Sequence, residues 1–274
     1  MRIIIVGLGE TGYSLVKMLD NTGHDITVID KDRAKIDDVT DRYSVNGVCG
    51  SGASAKTLRK AGAETADHLI ALTHIDEINL LTCMQGKAIG VKKCVARILM
   101  PDLVSEEAGL KKRYGIDLFV KPKADLADEV FLNIGKSSNN IVLVGGGITG
   151  GYLAKKLISS GRKLTILDDD ITRCRELMEQ FPTANVAYAA GDITEVLEEE
   201  NVEKSDAVVS LTDNDETNLV ISMYAWSVGV SSIITRVDRQ AHVKLLHKVN
   251  IDITVSPTEL AVNKIVTFIN SGSL

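Results

Sequence analysis

The sequence predicts an α/β protein built as two tandem doubly wound parallel-sheet domains, on three observations. Short apolar runs alternate with amphipathic helical patterns along the chain, which means βαβ units and a mostly parallel sheet. The first apolar run leads directly into glycines spaced G-x-G-x-x-G. The whole arrangement then recurs, with Gly145, Gly147 and Gly150 answering Gly7, Gly9 and Gly12 at a shift of 138.

In the first half, strands are predicted over residues 3–6, 26–29, 43–48, 68–72, 93–97 and 117–120. Helices are predicted over 11–21, 31–41, 55–61, 76–89, 102–114 and 125–134. Right-handed crossovers then place a ligand at the switch point, outside the first and fourth strands. A polar linker at 136–140 precedes the restart, so the domains are read as 1–136 and 139–274. The second half tracks the first beyond the glycines. Gly161 and Asp168 answer Gly23 and Asp30; residues 206–212 (DAVVSLT) answer 67–73 (DHLIALT). Asp215-Glu216-x-Asn218-Leu219 answers Asp76-Glu77-x-Asn79-Leu80, and Arg236 answers Arg97, at a shift of 139. Residues 250–257 answer 115–122 at a shift of 135.

Each part of the glycine stretch has a physical role if a dinucleotide binds there. Gly7 permits the tight turn, Gly9 lets the backbone approach a pyrophosphate, and Gly12 lets the helix pack on the strand. The helix N-terminus offers unpaired N–H groups and a positive dipole end to phosphate. Asp30 lies 18 residues past Gly12, where a carboxylate accepts hydrogen bonds from ribose hydroxyls. This is a Rossmann-like fingerprint, present twice. The candidate nucleotide contacts of the first copy are Gly7, Leu8, Gly9, Glu10, Thr11 and Gly12, with Asp30 and Lys31 beyond them. Those of the second are Gly145, Gly146, Gly147, Ile148, Thr149 and Gly150, with Asp168.

Outside the fingerprints, Gly50-Ser51 and Gly191-Asp192 follow each third strand, as a plain turn or as the adenine edge. Thr73, with His74, and Thr212 end the fourth strands, where a hydroxyl either fills a turn or lines the site. Asp76 and Glu77, like Asp215 and Glu216, suit a helix dipole with or without a ligand. Asn79 and Asn218 sit in first helical turns, where an amide side chain is otherwise unfavoured. Arg97 and Arg236 end apolar strands; each guanidinium seeks either a nearby acid or phosphate and a bound nucleotide.

Bulk properties exclude several classes. With 45% apolar and 25% charged residues the chain is ordinary for a globular protein, and its net charge of −6 argues against nucleic acid or anionic membrane partners. No apolar run nears the ~18 residues that span a bilayer, so no direct membrane insertion is expected. No signal peptide is read before the first strand. Cys49, Cys83, Cys94 and Cys174 form no C-x-x-C pair and read as reduced cytosolic thiols. The histidines are scattered, so no metal site is assigned. No residues remain for a substrate domain bearing an acid–base group beside a nicotinamide, so no catalytic residue is assigned.

Taken together, IIIVGLGETG at 3–12, Asp30-Lys31-Asp32, the Leu72-Thr73-x-x-Asp76-Glu77-x-Asn79-Leu80 segment and Ala96-Arg97 resemble the RCK (KTN) domain. Nearly the whole chain takes part, as two copies. The resemblance implies a cytosolic regulatory subunit that binds NAD or NADH, with ATP or ADP as further ligands. It implies a homo-oligomer, peripheral at the inner face of the membrane beneath a potassium-translocating subunit. The different class left open is an NAD-dependent oxidoreductase or a redox sensor unrelated to transport. The resemblance also implies a smaller lobe of roughly 80 residues after each nucleotide domain, whereas here Ile134 passes to Asn139 with almost nothing between.

Overall fold

A computed structural model describes residues 1–249, 251 and 253–271. Among them, two six-stranded parallel sheets form. The first is made by β1 (Arg2–Val6), β2 (Asp25–Asp30), β3 (Asn46–Cys49), β4 (His68–Ala71), β5 (Lys93–Arg97) and β6 (Leu118–Val120), in the order β3-β2-β1-β4-β5-β6. Its helices are α1 (Glu10–Leu19), α2 (Arg33–Arg42), α3 (Ala55–Lys60), α4 (Asp76–Ile89) and α5 (Glu107–Tyr114). After α6 (Pro122–Asn133) the second sheet repeats the topology with β7 (Asn140–Val144), β8 (Lys163–Asp168), β9 (Asn185–Tyr188), β10 (Ala207–Ser210), β11 (Ser232–Arg236) and β12 (Ile253–Val255). Around it run α7 (Ile148–Ser159), α8 (Ile171–Gln180), α9 (Ile193–Glu199), α10 (Asp215–Ser227) and α11 (Gln240–Lys248), and the described chain closes with α12 (Pro257–Ser271). In both sheets the order reverses beside the first strand, between β1 and β4 and between β7 and β10, which is the switch point.

Two local expectations are corrected. The third strand starts at Asn46 rather than residue 43, because the Tyr43 N–H closes α2 on the Val39 carbonyl. The helix expected over 102–114 is split into a 3₁₀ turn, Pro101–Val104, and α5, since Glu106 between them leaves helical geometry (φ −98, ψ 52). Of the repeated segment 250–257, Asn250 and Asp252 lie outside the described residues.

The compact units also differ from contiguous halves. One comprises Met1–Pro122 and the chain from Thr258; the other is Lys123–Pro257. The boundary moves because each last helix carries an apolar stripe that packs away from its own preceding strands. In the first unit, Ala261, Val262, Ile265 and Ile269 of α12 join a core with Ile3, Ile5, Leu15, Val16, Ile70, Val95 and Val120. The stripe of α6 has the same spacing, with Leu126, Ala127 and Val130 of the helix and Ile134 just after it all buried. In the second unit α6 lies beside α7, where Asp128 meets Lys156 at 2.6 Å and Phe131 lies under Lys156 and Arg162.

Candidate functional site

In both units the glycine turn is built as the spacing demands. Gly7 and Gly145 adopt φ +96 and +100, and an added Cβ would fall within 3 Å of the backbone of Thr73 and Thr212. A Cβ on Gly12 or Gly150 would strike the carbonyl oxygen of Gly7 or Gly145 at 1.9 or 2.0 Å. These four glycines are therefore required by the fold. Gly9 and Gly147 are different, for a Cβ there would meet nothing within 4 Å. They also N-cap α1 and α7 without any side-chain hydrogen bond. By contrast, Asp32, Asp170, Asp192 and Asn214 cap their helices through side-chain oxygens. Among the described residues the first turns of α1 and α7 thus receive no side-chain cap, and both helix starts face open space.

Asp30 and Asp168 hold the turns. The Leu8 N–H donates to Asp30 Oδ2 at 2.6 Å and the Asp32 N–H to Oδ1 at 2.9 Å. In the second unit the Gly146 and Asp170 amides donate to Asp168 at 2.6 and 3.0 Å. An ionised carboxylate has about four lone-pair sites, so each acid retains acceptors for ribose hydroxyls. The Leu8 side chain lies in the core and only its backbone serves the turn. Gly146 is occupied similarly, packing at its Cα on Leu177, and its carbonyl accepts from Arg173 Nε at 2.7 Å.

The Asp-Glu-x-Asn segments turn out to be clips joining the ends of β4 and β5, and of β10 and β11, a role that dipole arguments missed. Fully buried Asn79 accepts the Thr73 N–H at 2.9 Å and donates to the carbonyls of Thr73 and Arg97 at 2.8 and 2.9 Å. Asn218 repeats every bond, on Thr212 and Arg236. Asp76 accepts the Leu99 and Met100 amides, as Asp215 accepts those of Asp238 and Arg239. The signal was the repeat itself, since both copies keep Asp and Asn three residues apart.

The two arginines part company. Arg236 takes the acid partner, binding Asp213 and lying 3.5 Å from Asp238. Arg97 has neutral partners only, the Thr73 carbonyl at 2.9 Å and Thr11 Oγ1 at 3.4 Å, and its Nε has no hydrogen-bond partner among the described residues. Burial pushes the Arg97 guanidinium below its ordinary pKa, and the charges of Asp76 and Glu10 offset this only in part.

In the second unit, Gly145, Gly147, Ile148, Thr149, Gly150, Asp168, Gly191, Thr212 and Arg236 line one cavity of about 570 Å³. Lys123, Asn214 and Thr217 line it too, none of them foreseen. Asp192 does not: its carboxylate caps α9, accepting the Thr194 amide at 2.9 Å and hydroxyl at 2.6 Å. In the first unit, Gly50 donates its N–H to the Asp30 carbonyl at 2.8 Å. Glu10, Lys31 and His74 are exposed and Ser51 is half-buried.

Comparison with known proteins agrees with this arrangement. The family model described as the TrkA-N domain matches residues 3–122 and again 141–257. The Trk system potassium uptake protein TrkA homolog 2 of Methanosarcina mazei is 28% identical, covering 97% of this chain and 80% of that protein. That alignment runs over 361 residues, so the relative carries internal sequence that these 274 residues lack. The Trk system potassium uptake protein TrkA of Halomonas elongata is 25% identical over 100% of this chain and 80% of its own length. Among solved structures, the GsuK channel superposes with a TM-score of 0.82 at 18% identity, over 100% of this chain and 70% of that one. The GsuK channel bound to NAD gives 0.81 at 14% identity, over 99% and 64%; such likeness establishes the fold. Matched twice over most of its length, the chain belongs to the TrkA-N domain family.

Proposed function

We propose that this chain is a regulatory subunit of a membrane potassium transporter, binding NAD, NADH or an adenine nucleotide and doing no chemistry on it. The observation that carries the reading is the twin open glycine turn, at Gly9 and Gly147, each held by a carboxylate placed for ribose. Bound nucleotide would lie with its pyrophosphate on the first amides of α1 or α7 and its adenosine ribose on Asp30 or Asp168. Support for transport comes from relatives named as Trk potassium uptake proteins and from the shared fold with a channel's NAD-bound form. No described helix is long and apolar enough to cross a membrane, which fits a peripheral protein working beside a separate membrane subunit. Self-association is supported by exposed apolar side chains three residues apart on α10, Val220, Met223 and Trp226.

The test is rubidium uptake by cells of the source organism with the gene deleted, then restored as wild type or as the Gly9→Val, Gly147→Val double variant. Uptake should fall on deletion and return with wild type, and its regulation should be lost in the double variant. Equal uptake in all strains would remove the transport reading. Purified protein mixed with NADH and small carbonyl or quinone oxidants should leave the absorbance at 340 nm, roughly the dihydronicotinamide band, unchanged.

A further inference from the structure

The second cavity contains a cation that the fingerprint does not account for. Lys123 is the second residue of α6 and lines the cavity with the glycine turn, yet it is half-buried. Among the described residues it has no ion-pair partner. The cavity's other cation, Arg236, is already neutralised by Asp213 and Asp238. The role of free phosphate receptor, expected of Arg236, is therefore open in this unit, and Lys123 is the group able to fill it.

Its position within the cavity follows from the repeat. The α12 stripe packs on the face formed by β1, β4, β5 and β6, through Ile70, Val95 and Val120. The α6 stripe has the same spacing and lies against α7 through the Asp128–Lys156 pair. The start of α6 thus belongs on the β10–β11 side of the glycine turn, with Thr212 and Arg236. Asp168 and Gly191 mark the opposite, adenosine side. A ligand whose pyrophosphate sits on the α7 amides reaches Lys123 with whatever lies beyond it. In NAD⁺ that is a ribose carrying a cationic ring. In ADP the pyrophosphate ends there, its β-phosphate carrying a further ionised oxygen in place of that ribose, and in ATP it is the γ-phosphate.

We propose that Lys123 makes the second site selective for a nucleoside di- or triphosphate over NAD⁺, by pairing with the terminal phosphate. The proposal rests on the nucleotide-binding reading above. The first unit has Thr258 at the position corresponding to Lys123 in the repeat, so this device belongs to the second site alone. A charge-assisted bond to phosphate is strong in a partly desolvated cleft, and its loss corresponds to about tenfold in affinity.

The experiment is calorimetric titration of the full-length chain with ADP and with NAD⁺, in a Gly9→Val background that leaves the second site and a Gly147→Val background that leaves the first. In the Gly9→Val background, Lys123→Ala should weaken ADP about tenfold and NAD⁺ less than about threefold. Lys123→Arg should restore ADP binding, and the affinity for ADP should lose part of its salt dependence in Lys123→Ala. In the Gly147→Val background Lys123→Ala should change nothing. The proposal is overturned if ADP and NAD⁺ weaken equally, if ADP is unaffected, or if Lys123→Arg fails as Lys123→Ala does, since the lysine then only packs. Absence of any nucleotide binding in either background would overturn the nucleotide reading itself, together with this proposal.

Discussion

The Leu8 N–H donates to Oδ2 of Asp30 at 2.6 Å, and this bond joins the glycine turn to the end of β2. Asp30 therefore holds the folded turn, and in the proposed reading it also meets a ribose. Asp30→Ala should weaken NADH at the first site by roughly 1–3 kcal/mol, as expected for losing hydrogen bonds to a charged group. NADP should bind far less well than NAD at both sites, because a 2′-phosphate would meet Asp30 or Asp168 in a partly desolvated place. Calorimetry with the dinucleotides checks both, and equal affinity for NADP would contradict the role given to the acids.

Two glycines of one motif should behave oppositely. Gly12→Ala places a Cβ 1.9 Å from the Gly7 carbonyl oxygen, so α1 must shift off β1, at a cost above about 2 kcal/mol. Gly9→Val adds bulk to open space and should leave stability within about 0.5 kcal/mol while abolishing binding at the first site. Thermal melting with and without NADH separates the two effects.

Arg97 is a half-buried cation with no carboxylate at ion-pair distance among the described residues, so its removal should do little harm to the empty protein. Arg97→Met is expected to leave unfolding stability unchanged or raised by up to about 1 kcal/mol, while weakening anionic nucleotides at the first site about tenfold. The matching change at Arg236 strands Asp213 and Asp238 instead, and should affect binding less. Urea unfolding and calorimetry on both variants make the comparison.

His68 gives a pH dependence with a definite sign. It is buried, neither ring nitrogen has a hydrogen-bond partner among the described residues, and its ring meets Phe268 of α12 edge-on. Burial, with Lys93 adding to it, pushes its pKa below 6.5. Below pH 6.5 the unfolded chain therefore binds a proton that the folded chain resists. Stability falls as pH drops through that value, by at most about 1.4 kcal/mol per pH unit from this group. His68→Phe should remove that part of the slope between pH 7.5 and 5.5 in urea unfolding. An unchanged slope would mean the ring is hydrated or paired in solution.

The face of α10 should govern assembly. Trp226 is half exposed beside Met223, and Met223→Glu puts a charge into any apolar contact made there. Light scattering should show a smaller species for the variant with an unchanged melting profile for the fold. The same mass for both proteins would place the oligomer contact elsewhere.

Much of this protein was determined by its sequence alone. Period and punctuation fix the βαβ order, and the glycine spacing with Asp30 and Asp168 fixes the two turns, because those interactions are local or follow from the strand–helix repeat. The bonds of Asn79 to Arg97 and of Asp76 to Met100 span 18 and 24 residues, and no local rule selects those partners; only their recurrence in both copies was visible. The split between Arg97 and Arg236 depended on Asp213 standing where the first copy has His74, a difference that matters only once the loops are folded against the guanidinium. Tertiary structure alone decided where α6 and α12 pack. Apolar burial is non-directional, and the duplicated sheets offer both stripes nearly the same surface, so sequence could not assign either helix to a sheet. That assignment is what brings Lys123 to the second cavity.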